Sequence, residues 1–201
     1  MLRSLSLTLV LSFLTSCAAS QLPELREGDI LFQSLETSQS TAIALATKSE
    51  FTHCGILLKK GDEMMVYEAV GPVKYTPIEK WIRAGNDGRV VVRRLKDIKL
   101  EERDLRHLRE EAAPFLGKRY DFAFNWSDEE IYCSELVWKI YKEATNIDLG
   151  IPRAMREFDL SSPEVQRIMK QRYGNSIPYD ERIISPQQVF ESEHLETVFE
   201  N

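Results

Sequence analysis

Cysteine and histidine are scarce, three of each among 201 residues, and they are scattered along the chain. No pair has the spacing that sets two metal ligands on one turn or one helix face, so neither a metal nor another cofactor is expected. There is no glycine-rich phosphate loop, no internal repeat and no low-complexity tract. No apolar run approaches the roughly 18 residues that a membrane-spanning helix needs. An excess of basic residues is also missing. With 26 Lys and Arg against 32 Asp and Glu the net charge is −6, which argues against a nucleic-acid partner.

What is present begins with a leader. Residues 1–16, MLRSLSLTLVLSFLTS, place Arg3 ahead of a short apolar run, the pattern of a signal peptide. Leu14-Thr15-Ser16-Cys17 is similar to the bacterial lipobox, in which the cysteine is lipidated and becomes the first residue. Cleavage near Ala18-Ala19-Ser20 by an ordinary signal peptidase is the alternative. Residues 17–27 then read as a lipid-anchored tether and residues 28–201 as one domain, with hydrophobic content, 43%, ordinary for a globular core. Ala18 after Cys17 points to the outer membrane, facing the periplasm, by resemblance to other such lipoproteins.

The mature chain mixes helical and alternating patterns, an α+β class. ILFQ at 30–33 reads as a buried strand. Residues 36–48 read as a helix capped by Thr37 or Ser38. Residues 51–70 read as a hairpin that puts His53 and Glu68 on one face and Cys54 on the other. A Lys60-Gly61 loop, or a symmetric loop over 59–62, sets His53 directly opposite Glu68, with Cβ atoms about 4.5–5.5 Å apart. A loop one residue longer or shorter breaks that pairing. Further on, 78–83 reads as a short helix, RVVVRRL at 89–95 as a strand, and 100–116 as a helix closed by Pro114. Ser162-Pro163 and Ser185-Pro186 read as the starts of two tail helices. His107 and His194 read as surface residues.

The stretch 117–141, GKRYDFAFNWSDEEIYCSELVWKIY, carries the chemistry. Leu136, Val137, Ile140, Tyr141 and Ala144 form the stripe of a buried helix, and Cys133 lies just before it. There the free N–H groups and the dipole favour a thiolate. A Ser127–Glu130 capping box is the alternative start, which would bury Cys133 in the second turn. Alone, a buried cysteine is more often a core residue. A histidine and a carboxylate on paired strands change that reading, because a thiol nucleophile needs a base and the base needs an orienting partner. The same alternation turns Cys54 away from His53, which marks it as a small core hydrophobe, and keeps it from bridging Cys133 unless the backbone rearranges.

GDILFQ, SQSTAIALAT, THCGI, YEAVGPVKYTPIEKWI, the 117–141 stretch, EFDLSSPEVQ and RYGNSIPYDE together resemble the YaeF/YiiX group of NlpC/P60-type proteins over about residues 28–190. The resemblance implies a circularly permuted papain-like fold, an antiparallel sheet packed on helices, with the histidine ahead of the cysteine in the chain. It implies a triad of Cys133 as nucleophile, His53 as base and Glu68 as orienter. GKRY matches the group's G-x-P-Y segment except for Arg119, and assigns Tyr120 to the oxyanion. Ser38 and Gln39 are expected to line the substrate cleft. The expected activity is hydrolysis of an amide or peptide bond, with a cell-wall stem peptide as substrate. A lipid ester or acyl-amide substrate with the same triad, and a non-catalytic envelope binding module, are the alternatives.

Overall fold

The computed structural model describes residues 24–201. The leader at 1–16, Cys17 and the tether as far as residue 23 lie outside the described residues.

In chain order the elements are β1 (Ile30–Gln33), α1 (Ser38–Thr47), β2 (His53–Lys60), β3 (Glu63–Ala69), β4 (Val73–Pro77), α2 (Ile78–Ala84) and β5 (Val91–Leu95). Then come α3 (Glu102–Ala112), α4 (Cys133–Thr145), β6 (Arg153–Ala154), α5 (Pro163–Tyr173), β7 (Arg182–Ile183), α6 (Pro186–Phe190) and β8 (Leu195–Glu200). Six strands form one antiparallel sheet in the order β4-β3-β2-β1-β5-β8, and β6 and β7 form a separate two-stranded ribbon. Local signals set most boundaries. The Thr37, Ser162 and Ser185 side chains each accept an N–H of the first turn they cap. Gly85 ends α2, and a 3-10 turn containing Pro114 closes α3.

The sheet buries both faces. On one, Cys54, Ile56 and Leu58 pack under α3 and α4, where Leu136, Val137, Ile140 and Tyr141 are fully buried. Each such aliphatic side chain contributes about 1.5–3 kcal/mol of apolar burial. On the other face, Leu57 and Val66 pack under Trp81 of α2. A third cluster joins Ala42 of α1 to Val165, Ile168 and Met169 of α5.

One expectation needs correction. The hairpin turns over Gly61-Asp62, with Lys60 paired to Glu63 and Ile56 to Tyr67. Gly61, at φ +65, takes the first loop position, where a left-handed residue is required. The register is therefore two residues away from the one that opposes His53 to Glu68. Parity survives, so the two still share a face, but as diagonal neighbours. The start of α4 follows the leading expectation and not the capping-box alternative. Ser127 and Glu130 lie in a non-helical segment, and the helix begins at Cys133 with Tyr132 as N-cap.

Candidate active site

Cys133 is the first residue of α4, and no side chain caps that helix start. Its neighbours in sequence are pinned. Tyr132 accepts the Ile184 N–H at its hydroxyl, 3.1 Å away, and Ser134 Oγ donates to the Ile184 carbonyl at 2.8 Å. Backbone bonds from Ile131 to Arg119 and from Asp121 to Ile131 draw the 119–121 segment alongside, which brings Tyr120 to the same place.

His53 opens β2 and is buried at 2% exposure. Its Nε2 lies 2.6 Å from Glu68 Oε2 on β3. Glu68 is held from two other directions, by Thr76 Oγ1 donating to Oε1 at 2.5 Å and Trp81 Nε1 donating to Oε2 at 2.9 Å. Burial pushes the Glu68 carboxyl up, but His53 and Thr76 outweigh it and leave it below the ordinary range. Burial likewise works against charge on His53, yet Cys133 and Glu68 raise it to about 9. The Cys133 thiol is held well below its usual value, first by a hydrogen bond from the Cys54 side chain and then by His53, against the opposing effect of burial. The arrangement favours a thiolate beside an imidazolium.

Cys54 is a core residue on the face opposite His53. That face is the one α4 covers, so the Cys54 side chain meets Cys133. Both thiols are free and buried. His53 is the residue on the far face, tilted against the Trp81 ring at 5.8 Å, and as the first residue of its strand it sits where the imidazole can round the sheet end.

Tyr120 is buried beside Cys133, and its hydroxyl accepts a hydrogen bond from Gln39 Nε2 at 2.9 Å. Burial, then Cys133, pushes its phenol well above the usual value, so it stays a donor. Gln39 thus reaches the site. Ser38 does not: it is exposed on the first turn of α1 and lines neither cavity that Gln39 and Tyr120 line. One of those cavities, about 100 Å³, runs from Cys133 between α1 and α5 over Ala42, Ile43, Ile168 and Met169.

Four residues at the site were not expected there from the sequence: Thr76, Trp81, Arg172 and Cys54. Thr76 and Trp81 fall inside the YTPIEKW segment that carries the family resemblance, which was their only signal. Cys54 had a clearer one, since it alternates with Ile56 and Leu58 and so shares the apolar face a helix layer covers. Arg172 read only as the polar end of a tail helix.

Residues 24–199 match the family described as permuted papain-like amidase enzyme, YaeF/YiiX, C92. The uncharacterized protein YiiX of Escherichia coli K12 is 46% identical over 191 residues, 94% of this chain and 93% of that protein. The crystal structure of the metalloprotein YiiX from Escherichia coli O157:H7 superposes with a TM-score of 0.84 at 46% identity, covering 88% of this chain and 97% of that one. Among the described residues of this chain no three His, Cys, Asp or Glu side chains gather as a metal-ligand set, and both Glu68 oxygens are taken by His53, Thr76 and Trp81. A match over nearly the whole described chain, with the histidine strand ahead of the cysteine helix, places this protein among the YaeF/YiiX permuted papain-like amidases, which are cysteine hydrolases.

Proposed function

We propose that the chain is an envelope thiol amidase in which Cys133, His53 and Glu68 act as a triad. The observation that carries this is the 2.6 Å contact between Glu68 and His53 Nε2, and it is supported by the mutual pull of His53 and Cys133 toward their charged forms. With Nε2 committed to Glu68, Nδ1 is the nitrogen left for the thiol. The thiolate adds to the substrate carbonyl, and the oxyanion meets the Cys133 N–H and the Tyr120 hydroxyl, which accepts from Gln39 and keeps its own proton to donate. His53 protonates the leaving amine as the C–N bond breaks, leaving a thioester. Water then gives a proton to His53 and adds to the thioester, which collapses to the acid and the thiolate.

A cell-wall stem peptide is the substrate that the envelope location favours. The apolar cavity beside Cys133 favours a second reading with the same triad, a lipid ester or acyl-amide whose chain fills it. Purified protein and its Cys133→Ala form, incubated with peptidoglycan and with lipid extract, separate the two by mass spectrometry. New acid and amine products are expected from one of these, and only with the intact thiol. Unchanged turnover by Cys133→Ala would sink the triad.

The location rests on sequence: removal of residues 1–16, lipid on Cys17, and sorting to the outer membrane. Labelled palmitate entering the protein, and lost in Cys17→Ala, is the expected result; an unlabelled soluble product indicates ordinary signal-peptidase cleavage.

A further inference from the structure

Apart from the Cys133 thiol, which is paired with His53, the cavity beside Cys133 has one charged side chain on its wall. Arg172, in the last turn of α5, is the only acidic or basic side chain lining it among the described residues. Its Nη2 donates to Gln39 Oε1 at 2.8 Å, and Gln39 in turn donates to Tyr120. The guanidinium rests against Phe124 at 5.3 Å and Phe122 at 5.9 Å, which shields its faces from water. Among the described residues no carboxylate lies within 4.0 Å of it, whereas Arg89, Arg94, Arg109 and Arg167 each have one. Asp121 is the acid whose field reaches Arg172, but its two oxygens accept the N–H groups of Ala123 and Asn125. Burial lowers the affinity of Arg172 for its proton, and the cation persists with most of its N–H groups unpaired by an anion.

A half-buried cation on an apolar wall, two hydrogen bonds from the oxyanion-side tyrosine, is costly unless something neutralises it. Among the described residues no carboxylate contacts it, and a guanidinium fork fits a planar carboxylate or a phosphate. We infer that Arg172 is the specificity-determining residue for an oxyanion group on the acyl substrate, a carboxylate or a phosphate, held at the cavity mouth while the apolar part of the acyl group fills the interior. This rests on Cys133 being the nucleophile of the proposed amidase. A substrate of this kind is amphiphilic and negatively charged close to the scissile carbonyl.

The test uses the full chain carrying Cys133→Ala, so that binding is read without turnover, with octanoate, octyl phosphate and octan-1-ol as probes in calorimetric titrations. At least one anionic probe is expected to bind roughly tenfold or more tightly than the alcohol. Adding Arg172→Gln should remove that preference and leave the alcohol unchanged, while Arg172→Lys should keep part of it. The stronger of the two anions tells carboxylate from phosphate. Equal binding of all three probes, binding of none, or a loss with Arg172→Gln that is the same for the alcohol as for the anions would overturn the assignment. Alkylation of Cys133 by iodoacetamide in the unsubstituted protein is followed in parallel. A reactive thiol without anion preference removes the Arg172 assignment and leaves the triad; anion preference with an inert thiol does the reverse.

Discussion

His53 and Glu68 touch across the sheet without being ladder partners. The observed register carries Glu68 toward Gly55, and the imidazole reaches it diagonally, 2.6 Å from Nε2 to Oε2. Space for that diagonal exists because Gly55 has no side chain. A Cβ there would sit 2.5 Å from Val66 Cγ1, 3.1 Å from the Tyr67 carbonyl oxygen and 3.4 Å from Glu68 Cβ.

Gly55→Val is therefore expected to destabilise the fold by about 1–3 kcal/mol, as overpacked cores do. It should also displace Glu68 from His53, so that hydrolysis falls by more than the loss of folded protein explains. Denaturant midpoints and specific activity, measured on the same preparation, check both parts.

Glu68→Gln keeps the shape and removes the charge. His53 reaches about 9 because Cys133 and Glu68 overcome its burial, so losing the carboxylate should lower the imidazole pKa. The basic limb of the pH–rate profile is expected to move to lower pH, with turnover down roughly 10²-fold or more. A profile that keeps its basic limb would show that Glu68 does not hold His53 in the working enzyme.

Cys54→Ala removes the neighbouring thiol that does most to hold the Cys133 thiol below its usual value. Alkylation of Cys133 by iodoacetamide at about pH 6 is expected to slow, because the thiolate fraction falls. The pH dependence of the labelling rate should shift upward, and Cys54→Ser should restore part of it.

Glu135, fully buried on the first turn of α4, has its carboxyl raised to about 7 by burial, against the pull of Lys139 at 2.8 Å. A folded pKa above the unfolded value binds extra protons in the native state. Its stabilisation is complete below the ordinary glutamate value of 4.5 and disappears as pH rises through about 7. Glu135→Gln should flatten the decline in stability across that window, which denaturant melts at pH 4.5, 6 and 8 would read.

The sequence reading succeeded where the signal is local. Ser-Pro caps, the Thr37 cap, the apolar stripe of α4 and the closing of α3 at Pro114 each depend on groups within about one helical turn. The two-residue alternation of β2 and β3 placed His53 and Glu68 on one face, and parity is insensitive to a register error of two. Two edge strands escaped notice. β4 is five residues of mixed character ending in Pro77, and β8 alternates at the chain's end without a flanking turn signal.

From its amino acids alone the chain determines its helices, its central hairpin, the order of histidine before cysteine and a family resemblance that names the chemistry. Only the tertiary structure decided which sheet face α4 covers, that Cys54 meets Cys133, that Thr76 and Trp81 lock Glu68, and that Arg172 stands alone on an apolar wall. Periodicity and capping act within a few residues and can be read along the chain. Layer packing is settled by the burial of surfaces far apart in sequence, and no local pattern records its outcome.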